Sequence, residues 1–120
     1  MEKLSKYVGI RGGVSRRAFE RLAAFRRDVE QALPYEIDEV VLFGSRARGE
    51  ATKDADYDVA IFVKEGGAGT LQDRQLSNIA FPYLLKGVHI RPVSLPRNFL
   101  NSDFQYPLAF SIAREGVLLS

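Results

Sequence analysis

Apolar residues recur at helical spacing between Ser15 and Pro34: Phe19, Leu22, Phe25, Val29 and Leu33 form one stripe, with Arg16, Arg17, Arg21 and Arg27 largely elsewhere on the wheel. The pattern predicts a helix that Ser15 caps, its hydroxyl taking up an otherwise unpaired amide, and that Pro34 stops. The period then shortens. Residues 39–43 (EVVLF) form a branched apolar run ended by Gly44, which reads as a buried strand entering a turn, and SRARG opens a short helix. Residues 56–63 (DYDVAIFV) read as a second strand, with Asp56, Asp58, Ala60 and Phe62 on one face and Tyr57, Val59, Ile61 and Val63 on the other. After the loop KEGGAG, the positions Leu71, Ile79, Phe81, Leu84 and Leu85 predict a helix from Thr70 to Lys86, bent near Pro82 and ended by Gly87. Residues 88–95 (VHIRPVSL) read as a third strand at a sheet edge, because Pro92 has no amide hydrogen to give to a ladder. PLAFSIAREGVLL reads as a last helix closed by Gly116, leaving residues 117–119 as an apolar tail. The rings of Phe19, Phe25, Phe81, Tyr83 and Phe110 are all expected in the core.

The resulting order, α-β-α-β-α-β-α without repeat or linker, suits a single small α/β (α+β) domain, and 120 residues with 46% hydrophobic content agree. Residues 1–14 are taken as an N-terminal extension and 15–120 as the folded unit. The absence of cysteine excludes disulfides, thiolate catalysis and sulfur-bound zinc. No apolar run approaches the roughly 20 residues that span a bilayer, so a cytoplasmic protein without a membrane role is expected. A formal charge of +2 and a pI near 9.0 favour phosphate-bearing ligands but fall short of a dedicated DNA-binding stripe.

Candidate chemistry concentrates in VVLFGSRARGEATKDADYDVAIFV. Gly44 permits a sharp turn and close approach of a ligand to the backbone, and the amides opening the next helix suit a phosphate. Ser45 can donate its hydroxyl to a phosphate oxygen, and Arg46 or Arg48 can add charge-assisted contacts. Residues two apart on a helix do not face one point, and Arg46 is the nearer candidate, with Arg48 fitting a solvated face as well. Asp56 and Asp58, two apart on a strand, project from one face about 7 Å apart, a pair of hard oxygen ligands suited to Mg²⁺ bridging a nucleoside triphosphate. With no cation bound, such carboxylates are expected to repel each other, so Asp58→Asn would spare the fold. Glu50 and Asp54 read as loop acids.

A Gly-Ser turn followed by a strand bearing Asp-x-Asp resembles the signature of the DNA polymerase beta-like nucleotidyltransferase superfamily, and FGSRARGEA with DYDVAIF resembles its minimal nucleotidyltransferase (MNT) branch. The resemblance runs from Val40 to Val63, with looser support from SIAREGVLL. It implies a mixed sheet of three to four strands flanked by helices. The implied activity is nucleotidyl transfer from a nucleoside triphosphate, ATP being the first expectation, to a hydroxyl acceptor. Asp56 and Asp58 would be catalytic residues that hold Mg²⁺, and Gly44, Ser45, Arg46 and Arg48 would bind the nucleotide phosphates. By analogy the chain would be the antitoxin of a toxin–antitoxin pair with a small helical partner protein. A nucleic-acid acceptor is compatible but not indicated.

The chain departs from the superfamily pattern in one respect. Active members usually carry a third carboxylate on the next strand, yet no Asp or Glu occurs between Asp73 and Asp103, and residues 88–95 offer His89 and Arg91 instead. One of these two is expected to face the cleft, with His89 read as a surface or internally satisfied histidine rather than a base. The alternative function is therefore a catalytically degenerate module that binds nucleotide or docks to a partner.

Overall fold

A computed structural model describes residues 14–34, 36–50, 55–64, 68–101 and 107–119. The extension up to residue 13, Asp54 and residues 65–67 of the KEGGAG loop lie outside them. The first helix, α1, is Arg16–Ala32, and the Ser15 hydroxyl accepts from the Ala18 amide at 3.2 Å, the expected cap. Strand β1 is Ile37–Phe43, helix α2 Ser45–Arg48, strand β2 Tyr57–Val63 and helix α3 Thr70–Leu84. They are followed by strand β3 at Ile90–Pro96, a 3₁₀ turn at Phe99–Asn101, helix α4 at Pro107–Glu115 and strand β4 at Val117–Leu118.

The strands form one mixed sheet in the order β3-β2-β1-β4. β1 runs antiparallel to β2 and to β4, whereas β2 and β3 are parallel and joined through α3. β3 is an edge strand, where Pro92 is tolerated. The apolar tail, by contrast, is more than a tail: Val117 and Leu118 pair with Leu42 and Val41, and the Leu119 amide donates to Val40 O. A run this short carries too little alternation to be told from a tail, and only the exposed edge of β1 makes it a strand.

Strand parity divides the core as the alternation in β2 requires. Tyr57, Val59, Ile61 and Val63 pack with Leu22, Phe25 and Val29 of α1 and Leu76 of α3 on one side of the sheet. Ala60 and Phe62 pack with Val41, Leu95, Leu100, Ala109 and Ile112 on the other. Helix α3 exists where expected but turns a different face inward. Leu76, Ala80 and Tyr83 are buried, and Leu71, Phe81, Leu84 and Leu85 are exposed, as is Phe110 of α4. The choice is set by Tyr83, whose ring meets Phe25 edge-on with centroids 5.9 Å apart and whose hydroxyl donates to Asp28 of α1. Burial, then the Asp28 carboxylate, pushes the Tyr83 hydroxyl well above its ordinary pKa.

Candidate active site

Antiparallel pairing of β1 with β2 brings the end of one strand beside the start of the other: Phe43 lies opposite Asp58, and Gly44 follows at once. β3 starts at the same end of the sheet because it runs parallel to β2, with Tyr57 opposite Ile90 and Asp58 opposite Arg91. Three chain segments distant in sequence thus converge at one end of the sheet.

Gly44 adopts φ 79° and ψ −163°, a conformation open to glycine and strained for residues with a side chain. A Cβ placed there would lie 2.6 Å from Asp58 Oδ2, so the carboxylate packs directly against the glycine backbone. The Gly44 carbonyl then accepts from the amides of Ala47 and Arg48, closing the single turn of α2 that begins at the half-buried Ser45.

Every oxygen of the two aspartates has a neighbour. Asp58 Oδ1 takes a hydrogen bond from Arg91 Nε at 2.9 Å while Oδ2 faces Gly44. Asp56 Oδ1 lies 2.7 Å from His89 Nδ1, and Asp56 Oδ2 lies 3.5 Å from a terminal nitrogen of Arg91. One guanidinium therefore spans both carboxylates, and its hydrogen bond to Asp58, with the charges of Asp58 and then Asp56, holds it still more firmly in the charged form.

Two expectations are corrected here. His89 and Arg91 both reach the carboxylates, because residues two apart on an extended chain share a face. The alternation was in the sequence, and treating the two positions as opposite in parity misread it. Nor is the carboxylate pair a site of unrelieved repulsion, since Arg91 lies between the two groups.

Arg46 and Arg48 are directed to protein partners. Arg46 donates through Nε and a terminal nitrogen to Ala55 O at 3.1 and 3.0 Å, and its guanidinium lies 4.3 Å from the centre of the Tyr57 ring. It thereby clamps the residues on either side of Asp56. Arg48 pairs with Glu50 at 2.9 Å and with Glu115 of α4 at 2.5 Å, and these two acids raise its pKa further. Glu50, read as a loop acid, has this partner.

Among the described residues no three His, Cys, Asp or Glu side chains gather as a metal site. The donor chemistry still fits Mg²⁺. Two hard carboxylates already converge on one cation, Arg91, and Mg²⁺ commonly takes few protein ligands, completing its shell with water and phosphate oxygens.

Residues 22–112 match the nucleotidyltransferase domain family. A "putative protein adenylyltransferase" of Methanocaldococcus jannaschii is 41% identical over 68 residues, which are 56% of this chain and 67% of that protein. The fold is similar to that of the crystal structure of a "putative nucleotidyltransferase" from Sulfolobus solfataricus (TM-score 0.56, 17% identity, 85% of this chain and 78% of that one). It is also similar to a chain of a toxin–antitoxin crystallised with AMP-PNP (TM-score 0.57, 16% identity, 82% of this chain and 72% of that one). With a match that extends over most of the folded chain, from the middle of α1 into α4, the chain belongs to the nucleotidyltransferase domain family.

Proposed function

We propose that this chain catalyses Mg²⁺-dependent transfer of an adenylyl group from ATP to a hydroxyl of a partner protein. The observation that carries the reading is the packing of Asp58 against Gly44, with Asp56 brought to it through the shared Arg91. The M. jannaschii relative, described as a protein adenylyltransferase, supports a protein acceptor over a nucleic acid. Asp56 and Asp58 would hold the metal. Gly44 and Ser45 would receive the triphosphate at the start of α2, with Arg46 and Arg48 as supporting charge.

In the transfer, the acceptor oxygen attacks the α-phosphorus, a new P–O bond forms, the bond to the bridging oxygen of the β-phosphate breaks, and pyrophosphate leaves. The acceptor proton passes to solvent. Mg²⁺, when bound, supplies charge neutralisation on the phosphates. The chain's own residues orient the reactants: Asp56 and Asp58 from the sheet end, Gly44 by admitting the phosphates close to the backbone, and Arg46 by fixing Ala55 beside Asp56.

On the same reading the partner is a small helical protein, with this chain as the antitoxin of the pair. The toxin–antitoxin neighbour supports that idea at the level of fold. The cytoplasm, where nucleoside triphosphates are supplied, is the proposed compartment, and among the described residues no helix is long and apolar enough to cross a membrane.

A second reading is favoured by one observation. Arg91 stands opposite Asp58, on the strand where active relatives are expected to carry the third carboxylate, which suits a module that binds nucleotide without turnover. Incubation with α-labelled ATP and Mg²⁺, with a candidate partner co-purified, separates the two. Adenylyl transfer should label the partner and disappear in Asp56→Asn and Asp58→Asn. Nucleotide binding by the wild type without labelled product would favour the second reading.

A further inference from the structure

We propose that Arg91 is an exchange cation: it neutralises the Asp56–Asp58 pair while no metal is bound, and when a divalent cation arrives it leaves the carboxylates for the phosphates of the nucleotide. The inference rests on the metal role proposed for that pair. Its ground is the geometry of the guanidinium, which takes up Asp58 Oδ1 at 2.9 Å and Asp56 Oδ2 at 3.5 Å. A metal held jointly by the two residues would need the carboxylates that Arg91 now engages. Guanidinium and metal therefore compete, since two cations cannot share such a site without strong repulsion.

Arg91 is also able to leave. It stands on the edge strand, its side chain is 67% exposed, and it carries a long flexible stem. Its charge does not vanish when it lets go, because a guanidinium stays protonated in proteins. Its planar fork matches phosphate oxygens as well as carboxylate oxygens, so an arriving triphosphate offers a replacement partner. His89 can remain on Asp56 Oδ1, an oxygen that Arg91 does not contact in this arrangement. The strand position that lacks a third acid thus acquires a task of its own, coupling metal entry to phosphate capture.

The test uses the full chain as wild type, Arg91→Ala and Arg91→Gln, the last keeping an amide donor at the position of Nε without the charge. Mn²⁺ binding is measured by calorimetry or by the electron spin resonance of free Mn²⁺, and a non-hydrolysable ATP analogue is then titrated at saturating Mn²⁺. Removing the charge should tighten Mn²⁺ about tenfold, the low end of what a neighbouring opposite charge does to a carboxylate's affinity for a cation. It should weaken the triphosphate analogue by roughly tenfold through loss of a charge-assisted hydrogen bond. The two shifts have opposite sign, which a general loss of structure does not produce. Should Arg91→Ala fail to fold by circular dichroism, Arg91→Gln carries the measurement.

Unchanged or weaker Mn²⁺ binding in the Arg91 variants, or unchanged analogue affinity, overturns the proposal. If at the same time Asp58→Asn abolishes Mn²⁺ binding, the metal reading stands and the exchange alone is refuted. If no folded variant binds Mn²⁺, or Asp58→Asn binds it like the wild type, the metal reading itself fails and the exchange falls with it.

Discussion

Asp58 is held by two different kinds of contact, and substitutions at its two neighbours separate them. Gly44→Ala places a methyl carbon 2.6 Å from Asp58 Oδ2 and imposes a positive φ on a residue with a side chain. The backbone part alone costs about 1–3 kcal/mol, because φ 79° with ψ −163° is a region open almost only to glycine. Combining Gly44→Ala with Asp58→Ala should recover the steric part and leave the backbone part, so chemical denaturation of the two single variants and the double should give a non-additive cycle. Strict additivity would mean that the carboxylate is not seated on the glycine. Asp58→Asn is expected to lower stability slightly, by at most about 1 kcal/mol, because it removes the negative charge that pairs with an exposed arginine. A rise in stability would restore the picture of two repelling acids. At this scale the sequence made Gly44, Asp56 and Asp58 legible through spacing alone. It offered Arg91 as a cleft candidate but not its place opposite Asp58, since strand register depends on pairing between distant segments.

Among the elements, α3 is the most instructive, because its existence could be read and its orientation could not. Counting large apolar side chains selects Phe81, Leu84 and Leu85, yet the buried face is built from Leu76, Ala80 and Tyr83. A small residue and a phenol with a hydrogen-bond partner outweigh bulk, because helix faces are chosen by what lies across from them. Leu76→Ala should therefore cost about 2–5 kcal/mol, while Phe81→Ser and Leu85→Ser stay within about 0.5 kcal/mol, as thermal melts will register. Equal losses would indicate that the exposed face is covered in solution. The Tyr83 hydroxyl gives a pH signature. Its folded pKa is raised above the ordinary value of 10.0, so its stabilising contribution is complete below pH 10 and is lost as pH climbs from there toward the higher folded value. Tyr83→Phe should lose roughly 0.5–1.5 kcal/mol at neutral pH and fall less steeply with pH above 10, measured by denaturation at a series of alkaline pH values. A parallel alkaline limb in the variant would contradict the burial of that hydroxyl.

For the whole molecule, the decisive feature is the way a central strand gathers its partners. β1 is flanked by β2 on one side and by β4 on the other, so residues near position 40 and near position 118 depend on each other. Leu119 is fully buried, and its carbonyl accepts from Arg26 of α1, tying the end of the described chain to its first helix. Leu119→Ala is expected to cost about 2–5 kcal/mol and to lower the melting temperature of the whole domain in one transition. A local loosening that leaves the main melt unchanged would show that the last strand is an accessory. Three of the four strands were legible from runs of branched residues, whereas two residues of strand carry too little pattern to announce themselves.

The position of β4 also bears on how the protein is made. β1, β2, α3 and β3 all precede Val117 in the chain, and β1 and β2 are the first strands able to pair. Until Val117 joins them the nascent sheet carries an open edge along Val41 and Leu42, backbone groups that any other extended chain can pair with. Translation products that stop short of Val117 would carry the carboxylate site on an unfinished and adhesive sheet, and would be natural prey for chaperones and proteases. Strand β4 is thus the seal on a sheet whose other strands already carry the carboxylate site.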